Sequence, residues 1–210
     1  MIADRYVQRI EALLASGSRR LLGIVGAPGC GKSTLARQLA DAFGARAVVV
    51  PMDGYHLANA ELARLGRAGR KGAQDTFDSA GYVALLRRLK INVPGETVYA
   101  PEYTRQLEEA IAGAIAIDSA TPLVITEGNY LLLDDGPWAQ IKSLLDEAWY
   151  VEVDGALRQS RLVERHVRFG RTRQAALDWV AATDEPNARL IDATAARADL
   201  IFQWPEGEEK

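Results

Sequence analysis

Residues 21–34, LLGIVGAPGCGKST, confine the chain to a narrow set of folds. An apolar run of strand length passes into a glycine-rich turn. The turn opens straight onto a helical pattern at 33–43, where Leu35, Leu39 and Phe43 share one side and Gly44 ends the run. Gly26, Gly31, Lys32 and Ser33 satisfy G-x-x-x-x-G-K-[ST] in the strand, turn and helix setting that gives the pattern its meaning. Glycines let the backbone fold back so that amide N–H groups meet phosphate oxygens. The helix N-terminus adds partial positive charge. The expected nucleotide-binding segment is therefore Gly26, Ala27, Pro28, Gly29, Cys30, Gly31, Lys32, Ser33 and Thr34. Within it Lys32 reaches the β- and γ-phosphates, and the Ser33 hydroxyl is offered to Mg²⁺. No Asn-Lys-x-Asp stretch for reading guanine occurs, which favours ATP.

Strand-like and helix-like runs alternate beyond this motif. Strands are expected at 21–26, 45–53, 122–128, 148–154 and 198–202. Helices are expected at 33–43, 78–89, 137–145, 155–169, 172–183 and 186–197. In the second of these, Asp78 or Ser79 is the N-cap, and Tyr82, Leu85, Leu86 and Leu89 form one stripe. A further helix at the start carries Val7, Ile10, Leu13 and Leu14 at helical spacing. Continuous apolar strands alternating with helices imply an α/β fold: a mainly parallel sheet of about five strands with helices on both faces. Ligands bind at the carboxyl ends of such strands, so Gly26, Asp53, Glu127 and Asp154 are expected to converge on one cleft. The segments 64–77 and 90–106 have no clear period and are expected as an irregular rim, an insertion at 64–106 within a single domain spanning 1–210. The tail PEGEEK is expected to fray.

Composition narrows the function classes. With 48% hydrophobic and 25% charged residues, the 210-residue chain suits one ordinary globular domain. A net charge of -3 gives no general attraction to nucleic acid or anionic membranes, so any anion site must be local. The single cysteine excludes an internal disulfide and a cysteine-based zinc cluster. Cys30 is either a reactive thiol at a helix N-terminus or a small residue tolerated in the turn, and the second reading is favoured. No apolar run approaches the roughly 20 residues of a membrane span, and a cytoplasmic enzyme is the default expectation.

Asp53 ends VVVPMDGYH. A carboxylate there can accept a hydrogen bond from an acceptor hydroxyl and take its proton during phosphoryl transfer. An Asp-Gly turn explains the same residue equally well from spacing alone. Glu127 closes PLVITE, where an acid beside the glycine loop can hold metal-bound water. Arg161, Arg165 and Arg168 share a helical face able to close over phosphates and exclude water. His166 points off that face. A solvated basic surface is the simpler account of Arg64, Arg67, Arg70 and Lys71.

Taken in order, GAPGCGKST, PMDGYH, RKGAQDTFD, VYAPEYTRQLEEAI and ITEGNYLLLD resemble the P-loop small-molecule kinases of the uridine kinase, phosphoribulokinase and bacterial pantothenate kinase group, across about residues 20–202. Within that group the chain is similar to short bacterial members named nucleoside kinase-like or kinases of fructose uptake systems. The resemblance implies a three-layer P-loop NTPase fold with a helical lid at 155–173, and ATP and Mg²⁺ as cofactors. It implies Asp53 as general base and indirect Mg²⁺ contact, with Ser33 and Glu127 completing the metal site. His56, Arg70, Lys71, Tyr103, Arg105, Glu127 and Asn129 are implied on the acceptor side, joined by Tyr99, Glu102 and Tyr130. Arg105 is suited to clamp a carboxylate or phosphate. Arg165 and Arg171 are implied on the triphosphate, and Asn187 near adenine, where Pro186 and Asn187 suggest a turn and cap.

The expected activity is transfer of the ATP γ-phosphoryl group to a hydroxyl of a small metabolite: a sugar such as fructose, a nucleoside or a pantothenate-like acceptor. The expected partner is that acceptor, with no nucleic acid and no membrane, and a homodimer left open. The alternative is a regulatory or transport-associated ATPase acting through a protein partner.

Overall fold

The computed structural model describes residues 2–204, so the tail at 205–210 lies outside the described residues. Its elements are α1 (Asp4–Leu14), β1 (Arg20–Val25), α2 (Lys32–Phe43), β2 (Ala47–Pro51), α3 (Asn59–Arg64), α4 (Ser79–Ile91), β3 (Thr97–Thr104), β4 (Glu109–Asp118), β5 (Leu123–Gly128), β6 (Glu147–Glu152), α5 (Gly155–Arg168), α6 (Arg173–Trp179), α7 (Glu185–Asp192) and β7 (Leu200–Gln203). Five strands form a parallel sheet in the order β2-β5-β1-β6-β7, which puts β1 and the turn after it at the centre.

Side chains alternate across each strand and feed two cores. Leu21, Val25, Val50, Val124 and Tyr150 pack with Tyr82, Leu86 and Leu89 of α4 on one face. Leu22, Ile24, Leu123, Ile125 and Trp149 pack with Ile10 of α1 and Leu35 and Leu39 of α2 on the other. Tyr6, Ile10 and Leu14 form the buried stripe of α1, with Val7 packed against the same cluster at its edge. A third, separate cluster joins Leu162 and Val163 of α5 to Ala176 and Val180.

Four expectations are corrected. The segment 90–106 is not irregular: Thr97–Thr104 pairs antiparallel with Glu109–Asp118 as a two-stranded hairpin that runs beyond the expected insertion. Alanines and Gly113 give β4 little β propensity, and Pro101 sits where the ladder shifts register between Ala100 and Glu102. Residues 137–145 do not form an α-helix. Gly136–Gln140 is a 3₁₀ turn, and Ile141 and Leu144 continue with bonds to carbonyls three residues back. Tight turns suit a short link that must bury Trp138, Ile141 and Leu145 before β6 begins. Pro186 and Asn187 do not make a turn, because α6 runs into α7 through a π-helical segment, Val180–Asp184. Pro186 lacks an N–H and crowds the carbonyl four residues back, so the wider π segment leads into it without breaking the helix. Asp154 does not join the cleft: its Oδ1 accepts from the Leu157 N–H at 3.0 Å and caps α5. Asp78, not Ser79, caps α4.

The hairpin is seated on the chain just past β2. A Cβ at Gly54 would stand 2.3 Å from the Pro101 carbonyl oxygen, backbone that cannot move without lifting the hairpin. Gly54→Ala is therefore expected to cost about 2 kcal/mol, within the usual range for overpacking. Gly69, with nothing near its Cβ position, is the control. Thermal unfolding of both alanine variants checks this, and equal midpoints would contradict it.

Candidate active site

The turn after β1 presents the glycine motif at the carboxyl edge of the sheet. Gly31 has φ +95 and leads into α2, where a side chain would be strained. Lys32 is buried, and its Nζ donates to the carbonyls of Gly26 (2.9 Å) and Ala27 (3.1 Å). Its charge is thus held inside the turn. Cys30 is also buried, and that burial pushes its thiol pKa up. The small-residue reading holds, and the reactive-thiol alternative is set aside.

Across from the turn, Ser33 Oγ donates to Glu127 Oε1 at 2.8 Å. Glu127 is the last but one residue of β5, opposite Ile24 of β1 and Pro51 of β2. Burial first, then the charge of Asp53, push the Glu127 carboxyl above its ordinary value, against the pull of Lys32 and the Ser33 hydrogen bond. Asp53 follows β2 in a 3₁₀ turn, Met52–Tyr55. Its backbone carbonyl lies 2.9 Å from His56 Nδ1. A carbonyl only accepts, so Nδ1 carries the proton.

Ser33, Asp53 and Glu127 line one cleft of about 460 Å³. Arg37 of α2 and Glu102, Tyr103 and Arg105 of the hairpin line it too, with Val49, Pro51 and Ile115 as apolar surface. The size suits a small metabolite. The three oxygen-bearing side chains at the turn fit Mg²⁺, which takes few protein ligands and completes its shell with water and phosphate. Among the described residues no three or more His, Cys, Asp or Glu side chains gather as a metal cage.

The remaining expected residues divide. His56 does not line the cleft. Its ring lies between Phe77 and Tyr103, with centroids 4.0 and 4.7 Å away, burial lowers its pKa, and it braces the Asp53 turn. Arg70 is turned to Asp75, with both contacts at 2.6 Å, and is exposed. Arg64 and Arg67 are likewise engaged, with Glu61 and Asp75, so these arginines are held by neighbouring carboxylates. Lys71 donates to Asn59 Oδ1 at 2.6 Å, lies 5.3 Å from the Tyr103 ring and is not part of the cleft lining. Tyr99 is exposed on the hairpin. Asn129 is half-buried past β5 and is not part of the lining. Tyr130 is buried and donates to the Gly72 carbonyl at 2.6 Å.

On α5, burial and then repulsion from Arg105 lower the pKa of Arg165, against the attraction of Asp184 and Asp53, so its guanidinium shares the field of the cleft residues. Arg171 stacks on Trp179, 4.0 Å from its centroid, and is exposed. His166 Nε2 meets Asp184 at 2.8 Å, a structural role. Asn187 is half-buried on α7.

Three residues escaped the sequence reading. Arg37 stands one helical turn beyond Ser33 and so reaches the same cleft, a spacing visible in the sequence. Arg158 is buried, pairs with Glu185 and approaches the Pro28 carbonyl at 3.4 Å. Trp204, the first residue past β7, donates from Nε1 to the Cys30 carbonyl at 3.1 Å. No local pattern announces either of these last two contacts, because each joins segments far apart in the chain.

A phosphate loop at the centre of a parallel sheet, opening on a metabolite-sized cleft lined by three carboxylates, is the arrangement of P-loop small-molecule kinases. Residues 21–207 match the model of the phosphoribulokinase / uridine kinase family, and the chain belongs to that family. A Schizosaccharomyces pombe protein named as a candidate uridine kinase is 31% identical over 95% of this chain and 89% of its own length. The Escherichia coli protein YggC is 34% identical over 90% of this chain and 79% of its own. A crystal structure from Silicibacter sp. TM1040, described as a candidate fructose transport system kinase, superposes with a TM-score of 0.80 at 40% identity, covering 90% of both chains. The α/β fold and the kinase class expected from the sequence are both borne out. No helix among the described residues is long and apolar enough to cross a membrane.

Proposed function

We propose that the chain transfers the γ-phosphoryl group of ATP to a hydroxyl of a small polar metabolite bound in the cleft. The observation that carries this is the shared lining: Asp53 faces the same cavity as Ser33 of the phosphate loop. In this reading the loop amides and Lys32 grip the triphosphate, and Arg165 adds positive charge at the transferring group. Asp53 accepts the hydrogen bond of the acceptor hydroxyl, aligns it and takes its proton as the new P–O bond forms. Ser33 and Glu127, with Asp53 through water, would hold Mg²⁺, which supplies charge neutralisation at the β- and γ-oxygens. Residues 155–173 act as the lid, and Arg171 reaches the phosphates when it closes. The hairpin and the loop at 64–77 form the acceptor wall, with Tyr103, Arg105 and Glu102 touching the acceptor. Arg70, Lys71, His56 and Asn129 support that wall from behind. Asn187 lies on the side assigned to adenine.

ADP release measured with fructose, other sugars, nucleosides, pantothenate and glycerate tests the proposal. The name of the Silicibacter protein makes sugars the first to try. At least tenfold stimulation by one acceptor is expected. Turnover indifferent to every acceptor, together with nucleotide-dependent capture of a protein partner, would replace the kinase by a regulatory ATPase.

A further inference from the structure

Trp204 stands at the end of β7, the sheet edge opposite β2. Its indole touches the phosphate loop. A Cβ on Gly31 would lie 3.1 Å from both Nε1 and Cζ2 of the ring, and Nε1 donates to the Cys30 carbonyl. The ring packs edge-on against Phe202, with centroids 5.1 Å apart at 85°. It is nevertheless only half-buried, unlike Trp138 and Trp149, which are core residues.

Strand order decides which end of a nucleotide comes to this edge. The cleft with Asp53 and Glu127 lies over β2 and β5, on one side of β1. A triphosphate held in the turn after β1 with its terminal phosphorus toward Asp53 must send its ribose and base the other way, over β6 and β7. Trp204 is the aromatic side chain that meets the loop on that side. We propose that Trp204 forms one wall of the nucleobase site and holds the base by stacking, beside the first turn of α2. This rests on the nucleotide reading above and adds to it a residue and a mode of recognition. Every base has a π-face, so a stacking wall contributes affinity without choosing between adenine and guanine.

Calorimetric binding of ATP, GTP and tripolyphosphate to the wild-type chain and to Trp204→Leu and Trp204→Phe tests it. Trp204→Leu is expected to weaken ATP and GTP roughly tenfold each, the scale of one base-stacking contact, while tripolyphosphate affinity stays within about twofold. Trp204→Phe keeps a ring but loses the Cys30 hydrogen bond, and is expected to retain most of the affinity for both nucleotides. Intrinsic fluorescence gives a second readout that survives a poorly folding leucine variant. ATP should change the emission of the wild-type chain more than that of Trp204→Phe, and tripolyphosphate should change both alike. Equal losses of ATP and tripolyphosphate would make Trp204 a prop for the loop, and no loss of either would leave it a bystander; both results overturn the proposal. A wild-type chain that binds tripolyphosphate but no nucleotide would overturn the nucleotide reading itself.

Discussion

Asp53→Asn is expected to lower acceptor phosphorylation by roughly 10²- to 10⁴-fold, the range a positioned general base contributes. Asparagine keeps the shape and one hydrogen-bond acceptor but cannot take the hydroxyl proton. The loss should fall on kcat, with ATP binding nearly unchanged, because in the proposed reading the loop amides and Lys32, not Asp53, grip the phosphates. Removing its charge also relieves the repulsion that, after burial, pushes the Glu127 carboxyl upward. Rates of ADP release with and without acceptor, beside an ATP titration, separate the two effects. Near-normal turnover would show that the proton leaves by another route.

Lys32→Ala is expected to remove both grip and turnover. The ammonium is buried in the turn, and its reach to a phosphate would replace hydrogen bonds to two carbonyls by stronger, charge-assisted ones. Hydrogen bonds to charged groups contribute about 1.5–3 kcal/mol, so ATP should bind roughly 10- to 100-fold more weakly. Loss of one preorganised positive group at the transferring phosphoryl should lower kcat by a further factor of roughly 10²–10³. The contrast with Asp53→Asn is the informative part: one variant loses nucleotide and rate together, the other only rate. If Lys32→Ala bound ATP as tightly as the wild type, the turn would not be the triphosphate site.

Much of the frame was legible in the sequence because it is local. The apolar strands from Leu21, Leu123 and Ala148, and the stripe Leu35, Leu39, Phe43, report burial at the periods that strands and helices impose. The glycine turn was legible for the same reason, since its spacing is set by backbone reach. The hairpin was not. Its alanines pack lightly, and only Val98, Ala100 and Ile117 of its strands are fully buried, so no period stands out. Nor was the π-helical link, because Pro186 marks a break in the regular ladder without saying whether the chain turns or widens. In the cleft, residues on regular strands landed where expected, as Glu127 shows. Residues on loops were decided by side-chain partners that no period reports: Asp75 takes Arg70 within the same loop, and Phe77 and Tyr103, more distant in sequence, take His56.

The hairpin bonds to itself and to no strand of the parallel sheet, and rests on the chain beside Asp53. In the proposed reading, phosphate grip and alcohol selection thereby belong to separately hydrogen-bonded segments of the chain. Substitutions along Glu102–Arg105 or on Ile115 would then reshape the cleft without disturbing the turn after β1. A scaffold divided in this way would let the acceptor change while the donor side is kept.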